Sequence, residues 1–478
     1  LRLVAPLAVA ALVASACAPT RPATPTPSFM PTPTPTAPPL TVVRWFVGLG
    51  KGTEAAQVEA EKAFVKAYNN SQKRIYIDLE VVPGSTAYAT LKEEIANGTA
   101  PDIVGPVGIS GRSGLGGAFL DLTSEIRRTS YDMSRYPQGI VELLRDGSNG
   151  QVGLPYLINP GFIFYNKDIF TKAKLPPLPT RVGDSWNGQP WTWDTLATIA
   201  AQLTVDTKGK KSTDSGFDAN NIAQYGLDFQ WSDGRRTASC FGSGTLVDAS
   251  GGASIPEAWQ AGWTWYYDEI WKAHAAPSAK AVNSALLGNG STVASGHLAM
   301  AISWPWAIST YAGAPDKSGV YKPQFTNWDM AVLPSYKGTT TSPTDADTFL
   351  IVKSSAHPDQ AFDAMVAIMA DTNLQTAYGG MPAAKADQQA WFNQFDAYLA
   401  RLFPTAKISW TVLQEMENYP ANPSSEADLP NFPKVNSLVD AFYTRLQTVS
   451  GLNLETEFNT LQANLQKAFD QAAVTAQP

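Results

Sequence analysis

The chain carries 14 Trp, 17 Tyr and 20 Phe, but only three His and two Cys. Flat aromatic rings grip the apolar faces of ring compounds, so this content suits carbohydrate or other partly apolar ligands, with core packing taking most of the rings. The histidines, His274, His297 and His357, show no H-x-x-x-H spacing. A zinc site or a histidine-based triad is therefore poorly supported. Cys17 and Cys240 cannot form a disulfide framework. Acidic residues are plentiful, but no motif fixes two carboxylates across a cleft, as a glycosidase requires. Neither a metal nor a cofactor is called for, and enzyme status has no positive support.

Two glycine- and aromatic-rich turns stand out. Gly48-Leu49-Gly50-Lys51-Gly52 lacks both the G-x-x-x-x-G-K-[ST] and the G-x-G-x-x-G register, so it reads as a ligand-facing turn before a helix rather than a phosphate cradle. Lys51 and Glu54 are its charged candidates. Trp304-Pro305-Trp306 closes an apolar run that starts at Ser295, and Trp231 closes another that starts at Tyr225. Asp102, at the mouth of a short apolar run, reads as a structural acid. Lys plus Arg is 35 against 42 for Asp plus Glu, without a basic stripe, which argues against nucleic acid as a partner.

These residues need elements to hold them. Thr41–Val47 reads as a strand, Thr53 caps a helix with Ala56, Ala60, Ala63, Phe64 and Ala67 in period, and Ile75–Val82 is a second strand. A helix over Tyr88–Ala96 and a strand over Pro101–Gly105 complete a β-α-β-α-β order, which predicts a parallel sheet covered by helices. Ligands of such sheets gather at the carboxyl ends of the strands, here Gly48–Thr53 and Gly105–Gly117. Gly153–Phe170 carries Pro155 and Pro160 around Asn159 and then Phe162 to Tyr165. The prolines predict an irregular extended crossing rather than a central strand, feeding a buried strand in a second core. Thr192 caps a helix with Leu196, Ile199, Ala200 and Leu203, and Pro358 opens one with Phe362, Met365, Val366 and Met369. The last helix carries Leu454, Phe458, Leu461, Leu465 and Phe469 on one face.

Residues 1–16 have the short apolar core of a signal peptide, and Ala14-Ser15-Ala16-Cys17 resembles the bacterial lipobox. The resemblance implies cleavage before Cys17 and lipid attachment to it, with anchoring at the outer face of the cytoplasmic membrane. Residues 17–39, nearly all Pro, Thr, Ala and Ser after Cys17, form an extended tether.

Several stretches in order resemble the extracellular solute-binding proteins of ABC importers, in the family of the maltose- and other sugar-binding proteins. They are Gly98-Thr99-Ala100-Pro101-Asp102-Ile103-Val104, Gly153-Leu154-Pro155-Tyr156, Tyr165-Asn166-Lys167-Asp168-Ile169-Phe170, Trp193-Asp194-Thr195-Leu196, Gly296-His297-Leu298-Ala299-Met300 and Met330-Ala331-Val332-Leu333-Pro334. The resemblance implies an α/β fold of two lobes, each a mainly parallel sheet flanked by helices, with the ligand cleft between them. It puts lobe 1 at 40–152 plus 338–372 and lobe 2 at 153–337 plus 373–478. By position it implies sugar contacts from Trp306, Trp304, Trp231, Tyr156, Asn159 and Lys51. One departure is that Gly105-Pro106-Val107-Gly108 lacks the wall aromatic common in maltose-type proteins, so maltodextrin does not carry over. The expected protein is a monomeric lipoprotein that captures a mono- or oligosaccharide and delivers it to a membrane permease. Alternatives are a non-sugar solute (a peptide, a polyamine or a glycerol phosphate ester) or a surface glycan-acting enzyme. Clustered arginines would favour phosphate, and paired acids a polyamine.

Overall fold

A computed structural model describes residues 40–475, apart from 113–114, 116, 146–149, 313–319, 321–326, 402 and 428. The signal peptide, the tether and Cys17 lie outside the described residues. The strands that build the two large sheets are β1 (Thr41–Val47), β2 (Ile75–Val81), β3 (Ile103–Val107), β4 (Leu154–Asn159), β5 (Phe162–Asn166), β6 (Val205–Asp206), β7 (Ile222–Phe229), β8 (Leu298–Ser303), β9 (Trp328–Ala331), β10 (Asp345–Ile351) and β11 (Met381–Pro382). The first sheet has the order β11-β4-β10-β3-β1-β2 and the second β9-β5-β8-β7-β6.

Both sheets are mixed. The β-α-β-α-β run supplies the parallel part of the first, where β1 lies between β2 and β3. The late strand β10 then inserts antiparallel to both β3 and β4. In the second sheet only β7 and β8 run parallel. Helices Ala55–Ser71, Gly84–Ala96, Pro358–Met369 and Thr372–Tyr378 bury residues such as Phe64, Leu91, Phe362 and Tyr378 against the first sheet. Helices Trp193–Leu203, Glu257–Trp271, Lys385–Ala400, Phe432–Thr448 and Leu454–Thr475 enclose the second. The apolar periodicity explains these contacts. In Trp193–Leu203 the buried residues are Trp193, Leu196, Ile199, Ala200 and Leu203, and the Thr192 hydroxyl accepts from the Thr195 N–H as its cap. The first helix is capped one residue later than Thr53, by a reciprocal Glu54–Gln57 box.

The stretch after Gly153 departs from expectation. Residues 154–159 are an internal strand of the first sheet, not an irregular crossing. The ladder tolerates Pro155 because the register shifts there: Asp347 faces Leu157, Thr348 faces Pro155, and Tyr156 is left over as the bulged residue. The actual crossing is the short link between Asn159 and Phe162. Two more links join the sheets, from Ala331 to Asp345 and from Pro382 into the helix Lys385–Ala400.

Ser342 laces these links together. Its Oγ accepts from the Gly161 N–H at 2.8 Å and donates to the Gly161 carbonyl at 3.2 Å. Its N–H donates to the Tyr419 carbonyl and its carbonyl accepts from the Ala421 N–H, each at 2.8 Å. The link passes close to its neighbours at Gly161, where an added Cβ would lie 3.3 Å from both Pro343 Cδ and Trp304 Nε1.

Candidate functional site

The carboxyl ends of β7 and β8 both lead into the region of the links. Beyond β7, Asp233 caps the short helix Gly234–Ser239, accepting from the N–H groups of Arg235 and Arg236. Beyond β8 comes Trp304-Pro305-Trp306. The two indoles stack, with centroids 5.2 Å apart and planes 13° apart. Trp304 is fully buried and its Nε1 donates to the Pro343 carbonyl at 2.8 Å, which fixes the ring against the second link. Trp306 is only partly buried.

Arg236 completes this corner. Its guanidinium lies 5.9 Å from the Trp304 ring and 5.5 Å from the Trp306 ring. It also donates to Asp233 Oδ2 at 2.7 Å and to Glu426 Oε1 at 2.6 Å. Burial opposes its charge, but Glu426, Asp233 and Asp345 outweigh that, so its pKa is raised and the guanidinium stays ionised.

Asp345 and Asp347 open β10 on one face of the strand, two residues apart. Both carboxyl groups point at the end of β3: a Cβ on Gly108 would lie 3.3 Å from Asp345 Oδ1 and 3.8 Å from Asp347 Oδ1. The missing wall aromatic thus has a structural counterpart, since these carboxyls occupy the approach to residue 108. Burial raises the pKa of both. Glu426 and Asp347 raise that of Asp345 further, while Arg236 and Lys51 pull it down. Lys51 likewise lowers that of Asp347. The turn carrying Lys51 lies along this strand end, because a Cβ on Gly50 would meet the Pro106 carbonyl at 2.8 Å.

The structure therefore gathers Trp304, Trp306 and Lys51 around one junction, with Asn159 paired in register to Asp345 at its edge. Trp231 lies two residues before the Asp233 cap. It is 45 % exposed, held at φ +57°, and stacked 6.1 Å above the buried Tyr311 ring at 8°. Tyr156 is elsewhere. It packs edge-on against Phe349 and Tyr378 in the first core, 3 % exposed. Sequence reading missed Arg236 as a partner of the tryptophans, and it missed Glu426, Asp345 and Asp347. Asp102 does act structurally, accepting from the Arg44 N–H at 2.9 Å and from Ser355 Oγ.

The bacterial extracellular solute-binding protein family matches residues 63–391, more than half of the chain. The chain belongs to this family. Solute-binding proteins of this kind hold their ligand without converting it, so no catalytic role is assigned. Among solved structures, the chain is similar to UspC of M. tuberculosis, with 19 % identity and a TM-score of 0.67 over 89 % of this chain and 100 % of that one. It is also similar to a sugar transporter from Rhizobium etli in an open conformation, with 20 % identity and a TM-score of 0.64 over 89 % and 99 %. The sugar-binding protein MalE of Xanthomonas citri matches at 15 % identity and a TM-score of 0.64 over 92 % and 100 %. At these identities the likeness establishes the two-lobed fold. No curated protein sequence matches the chain. Among the described residues of this solute-binding protein no helix is long and apolar enough to cross a membrane, and no group of three or more His, Cys, Asp or Glu could hold a metal ion.

Proposed function

We propose that this solute-binding protein captures a sugar at the junction of its lobes and hands it to the permease of an ABC importer. The observation that carries the reading is the stacked Trp304–Trp306 pair beside Arg236, Asp345 and Asp347 where the sheets join. A sugar ring has an apolar C–H face and a hydroxyl edge. The half-open indole of Trp306 suits the face, while carboxyl, ammonium and guanidinium groups suit the edge. The rigid indole loses little entropy when a ring settles on it. Lys51 comes from the first lobe and Trp306 from the second, so a ligand touching both favours the closed state by its differential affinity. Trp231 and Asn159 extend the same wall, and Trp304 serves as the platform beneath Trp306. Tyr156, packed in the first core, is the bulged residue of the strand that ends at Asn159 and acts through that strand rather than by touching the sugar. The lobes part at the Asn159–Phe162, Ala331–Asp345 and Pro382–Lys385 links. The protein works as a monomer tethered through a lipid on Cys17 at the outer face of the cytoplasmic membrane, with residues 17–39 as its leash.

A cationic solute such as a polyamine is the second reading, favoured by the carboxyl groups of Asp345, Asp347 and Glu426. Arg236 and Lys51 offset part of that charge, and burial raises the pKa of Asp345 and Asp347 and so favours their uncharged forms, which makes a neutral solute the preferred reading. Thermal-shift screening of the mature domain against sugars, polyamines and glycerol phosphate esters separates the readings. The expected result is stabilisation by a sugar, with Trp306→Ala weakening that sugar more than tenfold at an unchanged melting temperature. Unchanged affinity would remove Trp306 from the site, and stabilisation by polyamines alone would replace the reading.

A further inference from the structure

A second opening lies beside the third link, where a crevice of about 410 Å³ separates two helices. One wall is Thr372–Tyr378, rooted in the first core through Leu374 and Tyr378. The other is Lys385–Ala400, rooted in the second core through Phe392 and Phe395. Trp306, Arg236, Asp345 and Asp347 do not line it, although Ser309, whose hydroxyl donates to the Trp306 carbonyl at 3.3 Å, closes its near end. Half-buried Tyr398 supplies aromatic surface, with the buried Trp391 showing only an edge, while Gln375, Thr376 and Gln394 supply uncharged hydrogen-bonding groups. Gln394 Nε2 donates to the Tyr398 hydroxyl at 2.7 Å, and Trp391 Nε1 reaches the Gly379 carbonyl only at 3.4 Å. Among the described residues the Gln375 side-chain amide makes no hydrogen bond. The carboxylate present, Asp387, faces Arg135 at 3.8 Å, so the lining has no uncompensated charge.

We propose that this crevice is a second binding site, for a neutral polyhydroxylated ring of monosaccharide size, and that its occupancy is coupled to lobe closure. The volume falls within the range of small-molecule sites. Aromatic surface beside amide and hydroxyl groups matches a ring with an apolar face and a hydroxyl edge. Because the two walls belong to different lobes, a molecule that bridges them favours one interlobe angle. By linkage, it and the solute at the Trp306 junction then alter each other's affinity by the same factor. The coupling half rests on the sugar-binding reading above, whereas the site itself does not.

The test is calorimetric titration with glucose, galactose and mannose, on wild type, on Trp306→Ala and on the Gln375→Ala/Tyr398→Ala double variant, with crystals of Trp306→Ala soaked in the same sugars. The expected result is hexose binding that persists in Trp306→Ala, weakens at least tenfold in the double variant, and places density against Trp391 and Tyr398. In the double variant the affinity of the junction ligand also changes several-fold. If the double variant fails to fold, Thr376→Trp, at an exposed position that fills the crevice, carries the same expectation. Loss of all hexose binding in Trp306→Ala, or soaked crystals with an empty crevice, would overturn the site. Hexose in the crevice with none at the junction would sink the sugar reading of the junction and leave the crevice standing.

Discussion

Arg236 is the natural place to test the architecture of the junction. Its side chain is 22 % exposed, against 8 % for Glu426 and 28 % for Asp233, and it bonds both at 2.6–2.7 Å. Removing one member of a buried ion pair costs about 3–5 kcal/mol, because the partner is left charged and undersolvated, and the residual exposure here points to the low end, about 3 kcal/mol for Arg236→Met. Glu426→Gln should cost less, about 1–2 kcal/mol, since Arg236 keeps Asp233 while Asp345 loses a repulsive neighbour. In the Glu426→Gln background, Arg236→Met no longer strands Glu426, so a coupling of about 1.5 kcal/mol is expected from the double-mutant cycle. The assay is urea unfolding of all four proteins at neutral pH, repeated at high salt, where a desolvated pair keeps most of its coupling. A coupling below about 0.5 kcal/mol, the level of an exposed pair, would refute the picture of a shielded Arg236 clamp.

Glu61 offers a pH signature. Burial, opposed by a hydrogen bond from the Tyr378 hydroxyl, pushes its carboxyl up to about 7. The native state thus holds this proton more tightly than the unfolded chain. The resulting stability is complete below about pH 4.5 and is lost as pH rises through about 7, at up to about 1.4 kcal/mol per pH unit. Glu61→Gln should therefore gain stability relative to wild type between pH 5 and 8, and a pH-independent difference in unfolding midpoints would refute the assignment. Gly161→Ala should cost about 1–2 kcal/mol, because its Cβ crowds Pro343 and Trp304; an unchanged melting temperature would show that the link yields freely. Trp231→Ala should weaken the sugar severalfold with little change in melting temperature, and intact affinity would confine Trp231 to its stack on Tyr311.

Much of the fold was legible because it was periodic. The β-α-β-α-β run, the Thr192 cap and the face of Leu454–Thr475 follow from spacing alone. The strand at Leu154–Asn159 was not legible, because Pro155 argues against pairing unless a bulge accommodates it, and a bulge has no local signal. Of the junction, Trp304 and Trp306 could be picked out by resemblance. Asp345 and Asp347 had a readable cue, the i and i+2 acids at the start of an apolar strand, which place two carboxyls on one face. Arg236 was visible only as half of a doublet whose other half, Arg235, turns to Asn436 at 2.8 Å. Glu426 lies in an irregular segment after Pro420 and Pro423, where no periodicity says what a side chain meets.

The four backbone-linked bonds of Ser342 limit how the two halves of the molecule can travel. To move independently of its neighbours, the link carrying Ser342 would have to break its ties to Gly161, Tyr419 and Ala421 together. While those bonds hold, the first and second links and the segment around Tyr419 and Ala421 travel as one piece, so any opening of the molecule has to turn around that knot rather than through it.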